Sequence, residues 1–244
     1  MKLFKEIFAR IWAVWGILSF MTTFLVVFIP SMLTYLLPEP KSSKAFSRLA
    51  KYWMDVWLFL VACPLKVKGK ENFKPGSTYV VICNHNSLMD VPISSPYIPG
   101  GNKTIAKTSF AKIPLFGFYY TKGSVLVDRK SEASRKASYI KMKEVLAMGV
   151  HMCIYPEGTR NKTSEILAKF HNGAFKLAQE TGKDIIPALI FNTRKVMPAN
   201  KAFYLLPHKL EFHFLPAISS SKPVEELKEE AHRVMREYLS SRQS

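Results

Sequence analysis

The residues best equipped for chemistry lie in the run Asn84-His85-Asn86-Ser87-Leu88-Met89-Asp90, where a histidine and a carboxylate stand five positions apart. An imidazole with an ordinary pKa near ~6.5 accepts a proton near neutral pH, and a carboxylate on its other nitrogen holds the tautomer and stabilises the imidazolium that forms. That is the minimum equipment for general-base catalysis. A lone pair of this kind is weak evidence, but two further segments follow it: Gly123-Ser124-Val125-Leu126-Val127-Asp128-Arg129 and Tyr155-Pro156-Glu157-Gly158-Thr159-Arg160. Arg129 and Arg160 carry planar donor forks suited to phosphate, and Lys107 adds a point charge. At Gly158-Thr159 the glycine lets backbone N–H groups and a hydroxyl come close to an anion. Glu157 has two readings, as an acceptor for a substrate hydroxyl or for backbone N–H groups that hold the Gly158 turn. The second is favoured slightly, because an anion beside a phosphate must be offset by nearby arginines.

Two nucleophiles compete with this reading. Cys83 precedes His85 by two positions, yet alternation along a short strand explains its place as core packing. Ser87 lacks the Gly-x-Ser-x-Gly context of a nucleophile elbow and fits a turn or helix cap. His151, His171, His208, His213 and His232 show no ligand spacing for zinc, so no metal is expected.

The elements that must position these groups follow from periodicity. Apolar, β-branched runs at 77–83, 124–128, 151–155, 184–191 and 209–215 read as strands, several of them separated by helices at 131–148, 170–181 and 224–239. Ser131 is a candidate N-cap, and Gly149 and Gly182 are stop signals. The result is a layered α/β fold with a central, mostly parallel or mixed sheet. His85, Arg129 and the 156–160 segment each follow a strand, and ligands of open α/β sheets gather beyond the carboxyl ends of strands. The run 113–120, Ile-Pro-Leu-Phe-Gly-Phe-Tyr-Tyr, is either the wall of an apolar groove or core beneath the catalytic loop. The basic residues around it, Lys103, Lys107, Lys112 and Lys122, offer a face for an acidic carrier or for coenzyme A phosphates.

With 244 residues the chain accommodates one catalytic domain, 66–244, after an apolar segment, 1–65. Between Arg10 and Glu39 there is no charge, and 11–29 is long enough to cross a hydrocarbon core of ~30 Å. A second apolar stretch follows at 52–65. Basic residues flank both ends, Lys2, Lys5 and Arg10 on one side and Lys41, Lys44, Arg48 and Lys51 on the other. A helical hairpin dipping into one leaflet, bent at Pro30, therefore meets the positive-inside tendency better than a single span. The bland alternative is a buried core hairpin. Lys and Arg number 35 against 18 Asp and Glu, a net +17, so the partner is acidic. Anionic lipid, phosphorylated substrates and acidic carrier proteins all qualify. Nucleic acid is not expected, since no helix-turn-helix, zinc-finger or aromatic RNA-binding signature appears. Three cysteines far apart among apolar neighbours indicate buried thiols.

Taken in order, the three motifs resemble the glycerolipid acyltransferase family, bacterial 1-acyl-sn-glycerol-3-phosphate acyltransferases above all. The likeness runs from about 65 to about 218 and takes in Lys107, the turn Phe170-His171-Asn172-Gly173-Ala174-Phe175 and Ile186-Pro187. Tyr155 stands where the family usually has Phe, Asn161 where Ser is common, and Ile186 where Val is frequent. The resemblance implies that His85 and Asp90 form the catalytic dyad. It implies that Lys107, Arg129, Glu157, Gly158, Thr159 and Arg160 serve the phosphate and glycerol of lysophosphatidic acid. No cofactor is implied beyond acyl-CoA or acyl carrier protein as co-substrate, and the expected setting is the cytoplasmic face of the inner membrane. Another lysolipid acceptor, or a membrane-binding protein without catalysis, are the competing readings.

Overall fold

A computed structural model describes residues 2–242. Two long helices, α1 (Lys2–Leu33) and α2 (Lys41–Leu60), precede a seven-stranded sheet. The rest of the chain runs β1 (Leu65–Lys68), β2 (Val80–Cys83), α3 (Asp90–Ser94), β3 (Asn102–Lys107), α4 (Phe116–Lys122), β4 (Ser124–Val127), α5 (Glu132–Ala147), β5 (His151–Ile154), α6 (Gly173–Thr181), β6 (Ile185–Phe191), α7 (Thr193–Val196), β7 (Leu210–Phe214) and α8 (Val224–Ser240). The strand order is β1-β7-β6-β2-β5-β3-β4, and only the β6–β7 pair is antiparallel.

The sheet is buried on both faces, which is why its central strands read as unbroken apolar runs. Along β2 the alternation is visible. Val80 and Ile82 pack with Met152, Phe175 and Leu177 beneath α5, α6 and α8, whereas Val81 and Cys83 pack with Trp53, Met54 and Trp57 beneath the N-terminal helices. Ser131 caps α5, its hydroxyl accepting from the Ser134 N–H at 3.2 Å, and Gly182 closes α6 with φ +59°.

Indole donors hold α1 against α2: Trp12 and Trp15 donate to the Val61 and Leu60 carbonyls at 3.1 and 2.8 Å, and Trp57 to the Gly16 carbonyl at 2.9 Å. At Gly16 the Leu205 side chain packs close on α1, with its Cδ2 2.5 Å from where a Cβ would stand. The far side of α1 is bare. Leu3, Phe4, Ile11, Leu18, Val26 and Ile29 are all more than half exposed, and only 22% of its most apolar stretch is buried, which removes the buried core hairpin.

The hairpin turn carries a correction. Lys103 pairs with Glu39 at 3.6 Å, and Lys122 is buried, its Nζ donating to Ser42 Oγ at 2.5 Å and lying 4.1 Å from the Tyr35 ring centre. These two lysines lock the helices to β3 and α4. Of the expected basic face only Lys107 and Lys112 remain exposed.

His151 is a packing residue, its Nδ1 accepting the Tyr79 N–H at 2.9 Å. Burial disfavours its charged form and brings its pKa down to about 4, against a smaller raising effect from the Pro99 carbonyl. The unfolded chain therefore takes up a proton that the fold refuses, so stability falls as pH drops below ~6.5, by at most about 1.4 kcal/mol per unit. Denaturant unfolding at neutral and mildly acidic pH should show this loss, and a smaller one in His151→Asn.

Candidate active site

The His85–Asp90 spacing closes a tight loop between the end of β2 and the start of α3. One oxygen of Asp90, Oδ2, receives three donors: His85 Nδ1–H at 2.8 Å, Asn86 N–H at 2.5 Å and Ser87 N–H at 2.7 Å. The carboxylate is wholly buried, while the imidazole keeps 16% of its side-chain surface. Because Nδ1 faces a carboxylate, its proton sits there, and Nε2 is left as the basic nitrogen. Ser87 is a turn residue, its hydroxyl donating to the Met197 carbonyl at 2.6 Å and accepting the Met89 N–H at 3.1 Å. Cys83 lies beside Cys153 with the sulfurs 3.8 Å apart, and burial pushes its thiol well above the ordinary range, so it is no thiolate at neutral pH.

Tyr155 stacks on His85, ring centres 4.3 Å apart and planes 25° from parallel, and its hydroxyl pairs with Ser94 Oγ at 2.7 Å. Pro156 and Glu157 occupy the corner of a turn closed by Gly158 N–H to the Tyr155 carbonyl at 3.0 Å. Gly158 has φ +71°, and a Cβ there would lie 2.9 Å from His171. Both oxygens of Glu157 accept backbone N–H groups, from His85 at 2.6 Å and from Ala168 at 3.0 Å. The donors belong to the flanking segments and not to the Gly158 turn. Burial pushes the Glu157 carboxyl up from its usual range, and those two donors draw it partly back.

Six of the residues read from the sequence, His85, Lys107, Arg129, Gly158, Thr159 and Arg160, line one cleft of about 1100 Å³, while Asp90 and Glu157 stand behind its wall. Arg129 donates through Nη1 to the Gly158 carbonyl. The opposite wall is apolar, built from Phe20, Phe46, Trp53 and Met54 of the N-terminal helices with Phe116 and Tyr119 of α4. The aromatic run thus fills both of its readings. Phe116 and Tyr119 pack on Phe24 at 5.7 and 5.6 Å and also face the cleft, whereas Ile113, Leu115 and Phe118 are exposed.

Three supports escape a reading of the sequence. Asn84 bridges to β6 in both directions, Nδ2–H to the Ile190 carbonyl at 3.0 Å and Ile190 N–H to Oδ1 at 2.7 Å. Asn161 donates its N–H to the His85 carbonyl at 2.7 Å, and Arg194 Nη2 donates to the Asn161 carbonyl at 2.7 Å. For Asn161 a signal existed, since Asn-Lys-Thr favours a side-chain-closed turn, seen here as Thr163 N–H to Asn161 Oδ1 at 2.9 Å. For Arg194, 33 residues away, there was none.

Glu157→Ala should leave two backbone donors without acceptors, at about 1–3 kcal/mol each, relieved in part by removing a buried charge. The expected result is a lowered unfolding midpoint together with reduced activity, checked by denaturant unfolding beside the assay.

Fold and site define a mostly parallel α/β domain with a histidine–carboxylate dyad at the edge of a half-apolar cleft that two N-terminal helices complete. A model of the family described as Acyltransferase matches residues 64–191, and the chain belongs to that family. A 1-acyl-sn-glycerol-3-phosphate acyltransferase of Helicobacter pylori is 33% identical over 174 residues, 69% of this chain and 71% of that protein. One from Chlamydomonas reinhardtii is 28% identical over 196 residues, 78% of this chain but 58% of the relative. The first curated relatives it matches are longer proteins, of which this chain spans 58%, 60% and 49%. The crystal structure of PlsC, the 1-acyl-sn-glycerophosphate (LPA) acyltransferase of Thermotoga maritima, has the same fold, with a TM-score of 0.79 at 22% identity over 100% of this chain and 98% of that one.

Proposed function

We propose that this protein transfers a fatty acyl group from an acyl thioester to the sn-2 hydroxyl of lysophosphatidic acid, giving phosphatidic acid for phospholipid synthesis. The observation that carries this reading is the His85–Asp90 bond of 2.8 Å, with the free imidazole nitrogen left on the wall of a cleft that also holds Arg129 and Arg160. His85 Nε2 takes the hydroxyl proton as the oxygen attacks the thioester carbonyl, and Asp90 stabilises the imidazolium. Collapse of the tetrahedral intermediate breaks the C–S bond, and the imidazolium returns its proton to the departing thiolate sulfur. No acyl-enzyme is required. Base assistance is worth ~10²- to 10⁴-fold, and positioning in the cleft supplies much of the rest. Acyl-CoA and acyl carrier protein both provide the thioester.

In this reading 66–244 is the catalytic domain and 1–65 attaches it to the cytoplasmic leaflet of the inner membrane. The bare apolar side of α1 and the basic residues at both ends of the hairpin support that placement. Transfer of a labelled acyl group from each donor to lysophosphatidic acid in vesicles is the direct test, and absence of transfer from either donor overturns the proposal. Arg160→Ala should raise the KM for lysophosphatidic acid by about 10- to 100-fold, the worth of a charge-assisted phosphate contact, with little change in kcat. An unchanged KM moves the phosphate site elsewhere. Equal transfer to a phosphate-free lysolipid would replace lysophosphatidic acid as the acceptor.

A further inference from the structure

The apolar surface of this protein is not confined to its N-terminal helices. Among the described residues four other than glycine have positive φ, and two of them are large, exposed apolar side chains, Leu115 at +58° and Phe203 at +54°. Such a conformation is unfavourable for a side chain with a Cβ, and glycine or asparagine would be cheaper there. Leu115 and Phe203 keep 45% and 55% of their surface exposed, so the protein's own packing rewards them only in part. Phe118, in the same segment as Leu115, is 67% exposed.

Both segments are built against α1. The Phe203 loop is tied to its first turns: Arg10 Nη1 donates to the Ala202 carbonyl at 2.7 Å, the Leu205 N–H donates to the Ala9 carbonyl at 3.2 Å, and Lys201 pairs with Glu6. The 113–118 segment meets α1 further along, through Phe116 on Phe24. Around each attachment point α1 shows bare apolar residues of its own, Ile7 and Ile11 near the first, Leu25 and Val26 near the second. Lys112, exposed, directly precedes Ile113, while Lys201 near Phe203 is taken up by Glu6 of α1.

We infer that the segment 113–118, which leads into the first turn of α4, and the loop 201–204 are lipid-inserting elements, in which Leu115, Phe118 and Phe203 enter the headgroup and acyl-chain boundary of an anionic bilayer beside α1. The inference rests on the membrane attachment proposed above and extends the contact surface beyond the two helices. Continuity with the bare face of α1 and the exposed Lys112 beside Ile113 select a lipid surface as the occupant, because a phosphate headgroup accepts that lysine while the apolar tips bury. Ala9 and Phe24 lie about 22 Å apart along the helix at ~1.5 Å per residue. A helix standing across the bilayer would place these loops at different depths and draw one of them, with its lysine, into the hydrocarbon. A helix lying along one leaflet lets both reach the interface.

The test uses the full chain, whose three cysteines are all buried and so spare for labelling elsewhere. Phe118→Cys and Phe203→Cys each receive an environment-sensitive fluorophore, with a label on Lys136→Cys of α5 as the control, and are mixed with vesicles of phosphatidylcholine and phosphatidylglycerol. The labels at 118 and 203 should shift to the blue and be quenched by nitroxide-bearing lipid, while the control stays open to aqueous iodide. Vesicle-bound protein in which either loop label remains iodide-accessible overturns the inference. Protein that does not sediment with vesicles at all overturns the attachment reading beneath it. The Phe118→Ser, Phe203→Ser double variant guards against label artefacts. Its vesicle affinity should fall at least about tenfold, with turnover on detergent-dispersed substrate unchanged. Unchanged vesicle affinity overturns the inference.

Discussion

His85→Ala is expected to lower the rate of acyl transfer by at least ~10²- to 10⁴-fold, with the loss in kcat and little change in KM. The substitution removes the one imidazole that lines the cleft among the described residues. It leaves the loop's main chain in place, because the His85 N–H still donates to Glu157 and its carbonyl still accepts from Asn161. Loss of activity is then separable from loss of fold. The variant should keep its far-ultraviolet spectrum and its sedimentation with vesicles while labelled phosphatidic acid fails to form. What survives is the share due to holding acceptor and thioester together, so residual transfer above the solution rate is expected. Transfer at a tenth of the wild-type rate or more would remove His85 as the base. Tyr155 sharpens the measurement, since its ring covers one face of the imidazole and its hydroxyl is held by Ser94. A truncated residue 85 leaves a gap beside a fixed ring and not a collapsed site.

The parts of this site that could be read from the chain are those whose partners lie within a few residues. The dyad is one, because its two members lie within a single short loop whose closure brings Nδ1 and Oδ2 to 2.8 Å. Strands β2, β5 and β6 were legible for a different reason, since burial on both faces demands unbroken apolar runs. Strand β1, Leu65–Lys68, was missed because it lies at the sheet edge, where Leu and Val alternate with lysines and the run carries no apolar excess. Strand β3 was missed because it buries Asn102 and Thr104, and Asn102 is acceptable inside only because Ser95 satisfies it in both directions, at 2.7 and 2.8 Å. The same logic hid the first half of α2. Its buried residues there include Ser42 and Ser43, which face the polar lock formed by Glu39 and Lys122, and Ser47, whose hydroxyl accepts the Asn102 N–H, so an apolar count places the helix start eleven residues late. Arg194 and the inward turn of Lys122 belong to tertiary structure alone.

Replacing Asp90 separates the two tasks that its one oxygen performs. Asp90→Asn can offer its amide oxygen where Oδ2 now accepts three donors, with the NH₂ in the place of Oδ1, which has no partner among the described residues. The loop and the tautomer of His85 then persist, and only the negative charge opposite the developing imidazolium is lost. The difference between a charged and a neutral acceptor is about 1–2 kcal/mol, so kcat should fall roughly 5- to 30-fold with the unfolding midpoint nearly unchanged. Asp90→Ala removes the acceptor altogether. Two backbone N–H groups and the imidazole lose their partner in a buried place, so activity should fall toward that of His85→Ala and the midpoint should drop by an amount equivalent to about 2–5 kcal/mol. The double variant completes the argument. If Asp90 acts through His85, adding Asp90→Ala to His85→Ala costs stability but almost no further activity, because the two form one unit. Activity losses that simply multiply would give Asp90 a contact with the substrate of its own, which its complete burial behind the cleft wall denies.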